Sequence, residues 1–158
     1  MSTATSQRYP TLEFVTRLQV EVDAVLELGN TQEGRRRFIP ITGGSFSGPG
    51  LSGRILSGGG DWQTLRQDGV AVLEARYFME THEGDLIEVT NTGYRHASPP
   101  VMERLLNGEP VSPEEYYFQT TPRLQTASKS YDWLNRTIFI GDAERMPDSV
   151  IINIFAVN

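Results

Sequence analysis

The stretch Gly43-GSFSGPGLSGRILSGGGD-Trp62 decides how this chain is read. It holds eight of the fifteen glycines, and within it Gly48-Pro-Gly-Leu-Ser-Gly53 spells G-x-G-x-x-G. A dinucleotide site needs a strand, then these glycines, then a helix whose N-terminus carries the pyrophosphate. Here "RILSGGGDW" follows Gly53, with three more glycines and no room for a helix. A Walker-type loop fails as well, because no Gly-Lys-Ser/Thr occurs. The remaining reading is geometric: glycines inside a sheet allow sharp bends, bulges and close backbone approach, which a small closed barrel needs at its corners.

The flanking segments agree. From Leu12 the period is two: Leu12, Phe14, Thr16, Leu18, Val20, Val22, Ala24 and Leu26 fall on one face. Mostly charged residues fall on the other, as in a half-buried strand or two strands joined by a bend. "GRRRFIPITG" reads as a strand with a bulge or edge at Pro40. Trp62–Arg66, Val70–Glu80 and Asp85–Asn91 read as a meander turning at Asp68-Gly69 and Glu83-Gly84. "YYFQTTPRLQT", Arg136–Ile140 and Ser149–Val157 complete about nine strands, with "YDWLN" a turn.

One short helix is expected after Ser98, with Pro99 and Pro100 in its first turn, Val101, Met102, Leu105 and Leu106 as its stripe, and Gly108 closing it. Ser112-Pro-Glu-Glu115 is a capping box that soon gives way to strand. With no alternation of strand and helix, the fold class is all-β: a single antiparallel β-barrel domain over residues 1–158 with one short helix. The last strand is apolar on both faces, so the helix or a partner subunit is expected to cover its outside. Residues 1–10 read as a flexible polar tail.

The chain has 158 residues and a net charge of −6, which argues against nucleic-acid and anionic-membrane partners. It has no cysteine and only two histidines, which removes disulfides, thiol chemistry and Cys- or His-rich metal sites. No apolar run is long enough to span a bilayer and the first residues lack a signal-type core, so a cytoplasmic location is expected.

Several blocks, in order, resemble a known family: "RRRFIPITGGSFSGPGLSGRILSGGGDWQTLRQDG", "ARYFMETHEGDLIEVTNTGYR", "YYFQTTPRLQT" and "YDWLNRTIFIG" are similar to the domain of unknown function 3237 family, also called uncharacterised protein family 0311. The resemblance covers about Phe14 to Val157. It implies a small antiparallel barrel like the calycin and allene-oxide-cyclase barrels, often self-associating, and no agreed activity. Two positions depart from the family pattern: His82-Glu83-Gly84 stands at a turn that is usually Asp-Asp-Gly-like, and Glu88 stands where an aromatic is common.

Polar residues within apolar strands are the candidates for chemistry. In "RRRF", Arg35 and Arg37 point one way and Arg36 and Phe38 the other, so at least one arginine faces inward. Arg76, between apolar neighbours, either pairs with Glu74, Asp61 or Glu88 or contacts a ligand oxyanion. Asp61, beside Trp62 after three glycines, is either a turn cap or a proton-handling acid whose pKa the indole raises. The candidate catalytic residues are therefore Asp61, Arg76 and Glu88. The candidate ligand contacts are Trp62, Tyr77, Tyr117, Arg123, Trp133 and Asn135, aromatics with polar neighbours that suit either a pocket or a core. No metal and no cofactor is expected. The leading expectation is a small-molecule-binding barrel acting as a cofactor-independent isomerase, cyclase or lyase, and self-associating as a dimer. A carrier barrel and a structural oligomer are the alternatives.

Overall fold

A computed structural model describes residues 7–158. Of the expected tail, residues 1–6 lie outside the described ones, and residues 7–10 join no strand or helix. Ten strands follow: β1 (Leu12–Val22), β2 (Leu26–Thr31), β3 (Gly34–Ser47), β4 (Gly53–Ile55), β5 (Gly59–Leu65), β6 (Ala71–Thr81), β7 (Leu86–His96), β8 (Tyr117–Thr126), β9 (Phe139–Arg145) and β10 (Ser149–Val157). One helix, α1, spans Pro99–Leu106.

All ten strands belong to one antiparallel sheet that closes on itself. The order runs β1-β10-β9-β8-β7-β6. Short β4 and β5 then lie in series between β6 and β3, and β3 pairs back onto β1. Counting β4 and β5 as one row gives a closed eight-strand barrel. Long β3 holds the closure together: its outer edge pairs with β2 along Gly34–Phe38 and with β1 along Ile41–Ser47.

The glycine-rich stretch is the end of β3, all of β4 and the start of β5. At Gly44, opposite Val20 of β1, φ is +137° and a Cβ would collide with the carbonyl oxygen of Gln19. Both backbone angle and space exclude other residues there. Gly44→Ala is expected to lose about 1–3 kcal/mol of stability, read as a lower denaturant midpoint at unchanged m-value.

Two expected elements come out differently. The alternation from Leu12 does not stay on one face, because the β1–β10 register shifts between Phe14 and Thr16. The extra residue reverses the parity. Thr16, Leu18 and Val20 are buried while Leu12 and Phe14 lie outside, and after β1 ends at Val22 the chain turns and Leu26 is exposed. The second difference is β9, which begins at Phe139 because residues 132–136 form a 3₁₀ turn. The capping box at Ser112 is present, with Ser112 N–H donating to Glu115 Oε2 at 3.2 Å.

The barrel interior is divided along its axis. One end is packed solid by fully buried Leu18, Phe46, Met79, Ile87, Leu124, Phe139 and Ile154. Toward the other end β6 turns the small Ala75 inward, and the space there is open. There α1 lies over the opening, with Leu105 and Leu106 turned to it. The helix therefore roofs the barrel mouth rather than the outside of β10. On that outer face Phe155 packs against Phe14, ring centroids 5.7 Å apart. No helix among the described residues is long and apolar enough to cross a membrane.

Candidate functional site

The hollow end is a cavity of about 430 Å³. Its apolar wall includes Val20, Ile39, Ile41, Leu73, Phe118 and Ile152. Its polar side chains are Arg37, Asp61, Gln63, Asn91, Arg95, Thr120 and Arg145, with Asp23, Asp148 and Ser149 toward the mouth. Strand pairing explains how they meet. Asp61 is paired with Ala75, and Ala75 with Asn91, so the acid and the amide straddle a methyl group. One step along, Arg37 pairs with Gln63, Gln63 with Leu73 and Leu73 with Gly93. Arg95 pairs with Phe118, and its guanidinium lies over that ring at 5.4 Å.

A hydrogen-bonded chain links the charged groups. Arg95 Nη2 donates to Gln63 Oε1 at 3.5 Å, and Gln63 Nε2 donates to Asp61 Oδ2 at 2.8 Å. Gln63 is 1% exposed, so its amide is held in one orientation by both neighbours. Among the described residues seven buried side-chain polar atoms lack a hydrogen bond, and six of them belong to cavity residues: Arg37 Nε, Asp61 Oδ1, Asn91 Oδ1, Arg95 Nε, Thr120 Oγ1 and Arg145 Nε. The Arg37 Nε is 2.8 Å from Glu27 Oε1, a charge contact without hydrogen-bond alignment. Buried polar groups in folded proteins are nearly always paired, so the five such atoms other than Arg37 Nε, gathered around one void, single it out as the candidate site.

The electrostatics follow from depth. Burial pushes the Asp61 carboxyl above its ordinary value of 3.8, against the Gln63 hydrogen bond and the charges of Arg95 and Arg37. Burial also pulls Arg95 down to about 10, offset by Asp61 and reinforced by Arg37 and Arg145, and it remains a cation at neutral pH. Tyr77 is raised by burial and by the Asp61 charge. Among the described residues no group of three or more His, Cys, Asp or Glu is placed to hold a metal ion.

Of the nine residues singled out from the sequence, Asp61 alone lines the cavity. Tyr77 points inward but is buried in the packed region, 3% exposed. Arg76 and Glu88 sit on the outer wall, paired with each other at 3.4 Å across β6 and β7. Trp62 is also outside, packed on Phe38 at 4.9 Å between ring centroids. Neighbours along a strand face opposite ways, so Asp61 and Trp62 cannot share a lumen. Tyr117 stacks on His96 on the outside, and Arg123 is exposed. Trp133 packs against Phe139 of the core. Asn135 bonds both backbone groups of Thr126 and so fastens the 3₁₀ turn to β8. The nine candidates leave out Arg37, one of the RRRF arginines of which at least one is expected inward, together with Gln63, Asn91, Arg95 and Arg145, all of which line the cavity. Because the Arg76–Glu88 pair is exposed, Arg76→Ala and Glu88→Gln are each expected to change stability by less than about 1 kcal/mol in thermal unfolding.

Comparison with known proteins fixes the family. The family described as "Protein of unknown function (DUF3237)" matches residues 10–157. The chain belongs to this family. A UPF0311 protein of Rhodopseudomonas palustris is 39% identical over 150 residues, covering 94% of this chain and 98% of the relative. Among solved structures, a conserved protein of unknown function from Rhodopseudomonas palustris superposes with a TM-score of 0.91 at 35% identity, over 97% of this chain and 100% of that one. A beta-barrel like protein from Acinetobacter baumannii gives 0.85 at 40% identity, over 98% and 100%. An enzyme from Penicillium herquei gives 0.73 at 19% identity over 99% and 100%, a likeness of fold alone. Within the DUF3237 family, then, this member presents one deep acid, Asp61, two acids at the mouth and three arginines to a hollow barrel end.

Proposed function

We propose that the cavity binds a small organic carbonyl compound and moves a proton on it, as a cofactor-independent isomerase, cyclase or lyase. The observation that carries this reading is Asp61 Oδ1, buried without a partner, on a carboxyl that Gln63 holds in place. A base near its working pH is the efficient one, and burial moves Asp61 in that direction. Asp61 takes the proton from the carbon next to the carbonyl, and the bonding pair moves into the carbonyl to give an enolate. Arg95, whose charge acts on Asp61 more strongly than that of Arg37, faces the growing oxyanion. The neutral Asp61 acid then returns the proton to another carbon, or to a leaving oxygen, and no electron acceptor is required. Asn91, across Ala75, orients the substrate.

The test is exchange of the activated C–H in heavy water, followed by NMR over a panel of enolisable ketones and keto acids. Wild-type protein is expected to exchange at least one member, and Asp61→Asn to do so at least 100-fold more slowly. No exchange anywhere, or equal exchange by the variant, would sink the reading.

A further inference from the structure

The proton-moving reading uses Arg95 at the carbonyl oxygen and leaves Arg145 without a role, so the cavity holds more positive charge than that chemistry needs. Arg37, Arg95 and Arg145 all line it. Among the described residues, neither Arg95 nor Arg145 has a carboxylate within 4.0 Å, whereas Arg37 is held by Glu27. Arg95 is 5% exposed and its Nε is unpartnered. Arg145 leaves its own Nε unpartnered while its Nη2 donates to the Glu109 carbonyl behind it, fixing the guanidinium plane. Its backbone N–H donates to Tyr116 Oη at 3.0 Å, and the Tyr116 ring lies 6.5 Å from that of Phe118, beneath Arg95. The other carboxylates of the lining, Asp23 and Asp148, are exposed at the mouth, where water screens them. Asp61 offsets the charge of Arg95 in part, Arg145 has no such partner among the described residues, and two neighbouring guanidiniums repel each other unless an anion enters.

We infer that the ligand is an organic carboxylate whose anionic group lies between Arg95 and Arg145 under α1, with its apolar body against Phe118, Leu73 and Ile152. Guanidinium groups are suited to carboxylates by their fork of parallel donors. The volume of about 430 Å³ falls at the lower end of the range for small-molecule pockets, so a body of one or two rings fits. This inference rests on the reading of the cavity as a substrate site and adds the substrate's charge. It also orders the pocket: carboxylate at the mouth, reacting carbon below at Asp61.

The test compares 2-naphthoate with its neutral isostere 2-naphthamide by titration calorimetry, on wild-type protein, Arg145→Gln and Asp61→Asn. The acid is expected to bind wild type at least tenfold more tightly than the amide. Arg145→Gln should weaken the acid about tenfold and leave the amide unchanged, since it removes one charge-assisted contact. Asp61→Asn should keep the acid's advantage. The inference is overturned if acid and amide bind wild type equally, if neither binds, or if Arg145→Gln weakens both alike. Equal binding of acid and amide alongside Asp61-dependent exchange would remove the carboxylate and leave the proton chemistry. A strong preference for the acid alongside Asp61-independent exchange would do the reverse.

Discussion

Asp61→Asn is expected to slow proton transfer severely and to make the protein more stable. The amide keeps the shape and still accepts from Gln63, so the pocket stays intact, but it cannot take a proton. Loss of a positioned base lowers the rate by about 10²–10⁴-fold. The stability effect has a definite sign. The folded-state pKa of Asp61 is raised above 3.8, so as pH climbs past that value the unfolded chain loses this proton first. Wild-type stability falls through the interval between the two values and then levels off. The variant has no such carboxyl, so its advantage in melting temperature should be absent at pH 3, grow above pH 4 and be largest near neutrality. Thermal melts of both proteins across that range check it; a variant that melts lower than wild type at pH 7 would show that Asp61 is a structural partner of the arginines instead. On the proposed mechanism the acid limb of kcat/KM for wild type is expected above the ordinary aspartate value of 3.8.

Arg95→Met is the second large effect. Methionine fills much of the arginine stem's space and keeps contact with Phe118, so a folded protein is expected. On the proposed mechanism this removes one preorganised oxyanion donor and is expected to lower turnover by about 10²–10³-fold. It also deletes the strongest positive influence on Asp61, so the acid limb of the pH profile must move to higher pH. Mere loosening of the barrel would lower the rate without that displacement. Arg95→Lys restores the charge but not the flat fork over Phe118, and is expected to recover the position of the limb better than the rate.

The barrel was legible because its signals are local. Asp68-Gly69 and Glu83-Gly84 do sit at hairpin turns, and Pro99-Pro100 does open the helix. What failed was the assignment of faces. Arg76 stands between the apolar Ala75 and Tyr77, yet those are the residues that point inward on β6, and Arg76 must point out between them. The same parity on β7 runs Ile87, Val89, Asn91, Gly93, Arg95, which would have placed Arg95 inside. On β9 it runs Phe139, Gly141, Ala143, Arg145, and on β3 Arg37, Ile39, Ile41. Each cavity arginine is thus the polar end of an inward apolar row. That signal was present in the chain, but it becomes usable only once strand limits are known to the residue, because a bulge such as that between Phe14 and Thr16 inverts it.

The solid packing of Leu18, Phe46, Met79 and Phe139 at one end of the barrel has a kinetic consequence. A chamber closed behind is filled and emptied from the side that α1 overhangs. On the proposed reading a ligand leaves by the way it came, so product and substrate are expected to compete for one site, and release of one to precede binding of the next.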